Sequence, residues 1–182
     1  MSEQKQKHRA GFVNIIGNPN VGKSTLMNAL VGEKLSIVTA KAQTTRHRIM
    51  GIVNGDDYQI VYSDTPGILK PNYRLQKSMM NFVDTAIGDA DIILYVTDTV
   101  EKGDKNDEYI AKLQKIDCPV ILVINKIDIS SQQQVLELMN WLKEQIPNAI
   151  IFPASAQEKF NLDNIFDAIV ANLPEAPAWY DK

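Results

Sequence analysis

The segment spanning residues 17–24, Gly-Asn-Pro-Asn-Val-Gly-Lys-Ser, constrains the fold of this 182-residue chain more than any other feature. It follows an apolar run at 12–16 and precedes a pattern typical of a helix at about 23–31. Glycines allow backbone N–H groups to turn inward, and the start of a helix adds partial positive charge. The strand–loop–helix context therefore predicts a phosphate-binding loop rather than a chance glycine-rich turn.

The residue types in this loop predict how it would contact a nucleotide. We expect Lys23 to bridge the terminal phosphates and the Ser24 hydroxyl to bind Mg²⁺. Asn20 is a candidate K⁺ ligand, because its amide oxygen would face the α- and β-phosphates. The predicted nucleotide contacts here are Asn18, Pro19, Asn20, Val21, Gly22, Lys23, Ser24 and Thr25.

Apolar runs alternate with helical patterns along the rest of the chain. Residues 91–97, 120–125 and 149–152 are nearly all apolar, as in strands that are covered on both faces. The turn at 54–57 predicts a hairpin, and helical spacing recurs after Ser130 or Ser131, either of which is an N-cap candidate. The alternation predicts an α/β P-loop NTPase fold: a mostly parallel six-stranded sheet with one antiparallel strand and helices on both faces.

A second motif, Asn125-Lys126-Ile127-Asp128, ends one of these apolar runs. It should lie at the same rim of the sheet as the phosphate loop. The Asp128 carboxylate can accept two hydrogen bonds from guanine, whereas adenine would leave it unpaired at a cost of about 1–3 kcal/mol. The Lys126 stem can cover the base, and Asn125 can tie this loop to the phosphate loop.

The loop that follows the last strand completes the predicted base site. Ser155 and Ala156 are small enough for a backbone N–H group to reach the base oxygen. By itself this segment is an ordinary strand-to-helix loop, and Asn-Lys-Ile-Asp is a common polar turn. Their occurrence downstream of the phosphate loop is what predicts a site for guanine.

The remaining motifs concern Mg²⁺ and the γ-phosphate. Asp64, in Asp-Thr-Pro-Gly at 64–67, is expected to hold Mg²⁺ through water, and the Gly67 N–H to bind the γ-phosphate. A threonine in the segment 32–47, which has no clear periodicity, would complete the coordination shell of Mg²⁺. We prefer Thr45 to Thr44 by analogy with related motifs. The predicted catalytic set is Lys23, Thr45 and Gly67.

Ile68 stands where many small GTPases have a glutamine that orients the attacking water. Isoleucine cannot do this, so we expect turnover that is slow or assisted by K⁺ or a partner. Three alternatives stay open at this point. One is a catalytically inactive nucleotide-gated module; another is an ATPase, which Asp128 argues against. The third is an RNA-binding scaffold, which the net charge of −3 does not support.

Composition indicates a cytoplasmic domain. The single cysteine, Cys118, suits a reducing compartment, and the polar N-terminus lacks the apolar core of a signal peptide. We expect a flexible N-terminus over 1–9, a GTPase (G) domain over 10–173, and the start of a linker over 174–182.

The motifs GNPNVGKST, DTPG, NKID and ASA resemble those of translation-factor-related GTPases. The segment KAQTTRHRIMGI at 41–52, together with LPEAPAWYD at 173–181, resembles the Era family in particular. Der and the tRNA-modification GTPases share the phosphate loop but have a different threonine loop.

The Era resemblance implies a Ras-like G domain that converts GTP to GDP with Mg²⁺. It also implies a role in assembly of the small (30S) ribosomal subunit and binding of 16S rRNA through a C-terminal KH domain. Family members associate in part with the inner membrane, and we expect a monomer. The sequence ends where a KH domain would begin, so we expect a GTPase domain alone, which would recognise RNA poorly.

Overall fold

A computed structural model describes residues 7–18, 21–32, 35–36, 48–64, 88, 90–100 and 107–180 of the chain. Elements are numbered in chain order within these residues. The strands are β1 (Arg9–Ile16), β2 (Leu35–Ser36), β3 (Arg48–Asn54), β4 (Tyr58–Asp64), β5 (Ile92–Asp98), β6 (Val120–Asn125) and β7 (Ile150–Pro153). The helices are α1 (Lys23–Val31), α2 (Asp107–Leu113), α3 (Gln132–Gln145) and α4 (Leu162–Asn172).

One sheet organises the described residues, with the strand order β2-β3-β4-β1-β5-β6-β7. Strands β4, β1, β5, β6 and β7 are parallel, and β3 runs antiparallel to both of its neighbours. The predicted six-stranded sheet with one antiparallel strand is therefore confirmed. The additional edge strand β2 has only two residues, which is too short to carry the alternating pattern that reveals a strand in sequence.

Helices cover both faces of this sheet, as the alternation of patterns predicts. Every residue of β5 and β6 is buried, because these central strands pack against helices on each side. One apolar cluster joins the sheet to α1 and α4, and a second joins it to α2 and α3. No helix in the described part of the chain is long and apolar enough to cross a bilayer.

The start of α3 shows which of two neighbouring serines is the cap. The Ser131 hydroxyl accepts from the Gln134 N–H at 3.1 Å, and the Ser131 N–H donates to the Gln134 side chain at 3.0 Å. This reciprocal pair is a capping box. Ser130 instead donates its hydroxyl to the Lys126 carbonyl at 2.9 Å, so it orders the preceding loop.

Cys118 lies just before β6 and is partly buried. Burial raises the pKa of its thiol above the usual value. Because the thiolate is the reactive form, the raised pKa makes this cysteine a poor nucleophile at neutral pH.

Residues 174–176 pair with the beginning of β1. The Ala10 N–H donates to the Pro174 carbonyl at 3.1 Å, and the Ala176 N–H donates to the His8 carbonyl at 3.0 Å. These bonds bring the segment after α4 back along the first strand. The domain boundary placed at 173 stays a prediction, but the residues that follow it contact the G domain closely.

Gln59 on β4 anchors the next part of this segment. Its side chain is fully buried, and its amide oxygen accepts from the backbone N–H groups of Trp179 and Tyr180 at 2.8 and 3.1 Å. Its amide nitrogen donates to the Tyr180 carbonyl at 2.9 Å. The Trp179 ring meets Phe12 edge-on, with 5.4 Å between ring centroids. The polar and aromatic contacts together fix residues 179–180 on the sheet.

We predict that Gln59→Leu releases residues 179–180, since leucine cannot bond their backbone groups. In a Trp141→Phe background, acrylamide should quench Trp179 fluorescence more strongly than in the parent. The free energy of unfolding should fall by about 1–3 kcal/mol, the cost of losing buried hydrogen bonds. Gln133→Leu, on the exposed face of α3, is the control. Equal quenching in the Gln59 variant and its parent would contradict the anchoring role.

Candidate functional site

Three predicted loops meet at one rim of the sheet. Parallel pairing aligns Ile15 of β1 with Asp64 of β4, and Asp98 of β5 with Asn125 of β6. The segment after β1, the segment after β6 and the segment after β7 therefore leave the sheet at the same end. This is the placement that the sequence predicts for a ligand site in a doubly wound fold.

Two glycines shape the loop between β1 and α1. Gly22 has φ of +91°, and a Cβ atom built there would overlap the Asn125 side-chain nitrogen. Gly17 has φ of +154°, and its Cβ would lie 2.5 Å from the Val96 carbonyl oxygen. Both positions exclude a side chain, because the backbone passes close to neighbouring strand ends.

The first turn of α1 supplies an environment suited to an anion. Lys23 is half-buried, and Ser24 and Thr25 are exposed at this turn. The intrahelical bonds begin with the Leu26 N–H, which donates to the Gly22 carbonyl at 2.9 Å. The turn contains no acidic side chain to compete with an anion. A helix start of this kind attracts phosphate through its N–H groups and its dipole.

The Asn125 side chain connects the three loops. Its amide nitrogen donates to the Val21 carbonyl at 2.9 Å, and its amide oxygen accepts from the Ala156 N–H at 3.0 Å. Both bonds are buried, and Asn125 itself is 3% exposed. The structure thus contains the link to the phosphate loop that the sequence predicts, and it adds a second link to the loop after β7.

Asp128 lies in a single 3₁₀ turn (Ile127–Ile129) directly after β6. The buried Ser155 hydroxyl donates to one of its carboxylate oxygens at 2.8 Å. The same hydroxyl accepts from the Glu158 N–H at 3.1 Å. Sequence reasoning valued Ser155 only for its size and missed this contact, because Ser155 and Asp128 lie 27 positions apart in the sequence.

The backbone N–H groups after β7 already have acceptors within the chain. The Ala156 N–H donates to Asn125, and the Ser155 N–H donates to the Phe160 carbonyl at 3.3 Å. Lys159 and Asn161 have positive φ, which bends the loop so that Phe160 can pair with Ser155. A base oxygen at this point would therefore share the Ala156 N–H with Asn125.

Lys126 is held by a group that sequence reasoning did not identify. Its ammonium nitrogen lies 3.2 Å from a carboxylate oxygen of Asp98, at the end of β5. The Asp98 side chain is 2% exposed, whereas that of Lys126 is 33% exposed. The signal available in the sequence was a charged residue ending an otherwise apolar strand.

Several predicted site residues lie wholly or in part outside the described part of the chain. Asp64 ends β4 beside β1, but its side chain lies outside the described part. The predicted residues that also lie outside it are Pro19, Asn20, Thr44, Thr45, Gly67 and Ile68. Within the described part, no group of three or more His, Cys, Asp or Glu residues could hold a metal ion. A Mg²⁺ site completed by phosphates and water does not require such a group.

Comparisons with known proteins agree with this geometry. Residues 12–126 match the family model described as 50S ribosome-binding GTPase. GTPase Era from Heliobacterium modesticaldum is 43% identical over 176 residues, which are 96% of this chain and 59% of the relative. The chain therefore spans about three fifths of the length of such curated relatives.

Two solved Era structures share the fold. One is a single-substitution variant of Aquifex aeolicus Era bound to GDP·AlF₄⁻, with a TM-score of 0.75 and 38% identity over 95% of this chain and 60% of that one. The other is Era in complex with MgGDPNP and nucleotides 1506–1542 of 16S ribosomal RNA. Its TM-score is 0.76, with 38% identity over 96% of this chain and 60% of that one. The chain therefore belongs to the ribosome-binding GTPase family, and it is similar to Era proteins over nearly its whole length.

Proposed function

We propose that this chain binds guanine nucleotides, hydrolyses GTP to GDP and phosphate with Mg²⁺, and changes conformation between the two states. The observation that carries the proposal is the Asn125 side chain, which joins the phosphate loop to the base-side loop through two buried hydrogen bonds. That link puts an anion-binding helix start and the Asp128 carboxylate at one rim of the sheet. The spacing of these motifs is that of a site for a purine nucleotide.

Discrimination between purines would depend on Asp128. Guanine presents N1–H and an exocyclic amine, which are two donors that a carboxylate can accept together. The Ser155 hydroxyl holds one oxygen of this carboxylate at 2.8 Å and so restricts its rotation. An adenine base would place an acceptor against the same oxygen atoms, and the resulting unpaired charge favours guanine.

Mg²⁺ would be held by oxygen ligands from three segments. Ser24 is exposed in the first turn of α1, the helix that follows β1. Asp64 ends β4, which pairs in parallel with β1. These two residues and Thr45 are the proposed protein ligands, with Thr44 as the alternative threonine. When bound, the ion would neutralise charge on the β- and γ-phosphates. The solved Era complex that contains MgGDPNP supports Mg²⁺ as the ion by similarity.

The proposed reaction differs from that of many small GTPases in how the attacking water is positioned. Ile68 has no group that can orient water, so we propose slow intrinsic turnover. Lys23 and the backbone of Gly67 would stabilise the γ-phosphate. A K⁺ ion held by Asn20 would add positive charge beside the α- and β-phosphates. An inactive, nucleotide-gated module is the competing function.

The ribosome is the proposed setting for this switch. Support comes from the family match and from the solved Era complex with a 16S rRNA segment. We propose a role in assembly of the small (30S) subunit, with most RNA contacts made by a C-terminal KH domain. Peripheral contact with the inner membrane is proposed from the family resemblance alone, together with a monomeric state. The proposed cytoplasmic location also has the support of the single cysteine.

We predict that Asp128→Asn weakens GTP binding roughly 100-fold, the equivalent of about 2.7 kcal/mol. An amide presents a donor where guanine also presents a donor. Xanthosine triphosphate, whose ring has a carbonyl at that position, should bind the variant better than GTP does. Isothermal titration with both nucleotides measures this change.

Asp163→Asn, on the exposed first turn of α4, is the matched control and should keep the preference for GTP. The assignment of Asp128 would be wrong if wild type bound xanthosine and guanosine triphosphates equally well.

We predict that single-turnover phosphate release is faster in K⁺ buffer than in Na⁺ buffer, and that Asn20→Ala removes the difference. The amide oxygen of Asn20 supplies an uncharged oxygen ligand that suits K⁺. Asn28→Ala, at an exposed position of α1 that is not among the predicted nucleotide contacts, serves as the control and should keep the difference between the two buffers. Equal rates in the two buffers would eliminate the K⁺ site, and no phosphate release in either would favour the inactive module.

A further inference from the structure

Asp98 is a buried carboxylate at the site rim that the proposed reaction does not use. One of its oxygens lies 3.2 Å from the Lys126 ammonium, and the other accepts from the Val100 N–H at 3.0 Å. With a side chain that is 2% exposed, Asp98 has lost most of its hydration. A buried carboxylate needs such partners, since an unpaired one is strongly unfavourable.

The residues that follow Asp98 also hold the loop that contains Lys126. The Thr99 hydroxyl is hydrogen-bonded to the Ser130 hydroxyl, which in turn donates to the Lys126 carbonyl at 2.9 Å. Lys126 itself has φ of +62°, in the left-handed region that non-glycine residues seldom occupy. The end of β5 therefore restrains both the backbone and the ammonium group of Lys126.

A lysine side chain that is already restrained loses less conformational entropy on binding a base than an unrestrained one does. A lysine side chain has many rotamers and loses conformational entropy when one of them is selected. If the ion pair selects the rotamer before a nucleotide arrives, that loss no longer weakens binding. The stem is then already placed at the rim between β5 and β6, where the base would lie beside Asp128.

We propose that Asp98 is a positioning residue for guanine-nucleotide binding: the ion pair with its buried carboxylate holds the Lys126 stem in the orientation that covers the base. This inference rests on the proposed function. In this proposal the contribution of Asp98 passes through Lys126, whose ammonium group it pairs with. Removing the Asp98 carboxylate should therefore weaken nucleotide binding only when Lys126 is present.

A double-mutant cycle on the full chain tests this coupling, with GDP as the ligand. Asp98→Asn keeps the size of the side chain and its acceptor for the Val100 N–H but removes the charge. We expect GDP binding to weaken roughly 5- to 30-fold and GDP dissociation to accelerate, within the range of coupling between contacting residues. Lys126→Met should weaken binding similarly, and the double variant should be no weaker than Lys126→Met alone.

Asp91→Asn is the matched control for loss of a structural carboxylate. Asp91 precedes β5 at the opposite rim, where its carboxylate accepts from the Phe12 N–H at 2.8 Å. GDP affinity should be unchanged in this variant. Thermal unfolding without nucleotide, measured on every variant, separates stability from binding. If Asp98→Asn does not fold, Asp98→Ser takes its place in the cycle.

Each outcome decides between the coupling and a purely structural role. Unchanged GDP affinity in Asp98→Asn, additive losses in the double variant, or an equal loss in Asp91→Asn would each overturn the positioning role. In those cases selective binding by wild type would leave the proposed function intact. Failure of wild type to prefer GDP over ADP would overturn both.

Discussion

The buried amide of Asn125 is the interaction on which the site depends. One side chain satisfies the Val21 carbonyl in the phosphate loop and the Ala156 N–H beyond β7. A carboxylate of the same shape would face the Val21 carbonyl with a lone pair, and an apolar side chain would leave both backbone groups unpaired. Because buried polar groups without partners cost free energy, the amide keeps three separate loops in one arrangement.

The sheet makes this arrangement possible by bringing its polar residues to one rim. Strands β5 and β6 are apolar along their length and end in Asp98 and Asn125, which lie side by side in register. Each polar end group then pairs with a neighbouring loop: Asp98 with Lys126, and Asn125 with two backbone groups. The apolar parts of these strands therefore stabilise the core, and their buried polar end residues order the ligand loops.

Sequence reasoning recovered the fold and the rim of the sheet at which the described motifs meet, because these depend on periodicity and local spacing. The glycine-bounded loop, the hairpin and the carboxyl-end position of Asn125 were all predictable in this way. The bond from Ser155 to Asp128 and the ion pair between Asp98 and Lys126 were not, since both join residues that are distant in sequence. The anchoring of residues 179–180 by Gln59 was also missed, because a glutamine within a strand has no local signature of its partner.

The proposed site should accept a guanine nucleotide at this rim and reject an adenine nucleotide. Competition for a fluorescent GDP analogue, with unlabelled GDP and ADP titrated in Mg²⁺ buffer, measures this preference most directly. ADP should compete at least roughly 100-fold more weakly than GDP, because only guanine offers two donors to Asp128. Displacement by ADP at the same concentration as GDP would contradict it.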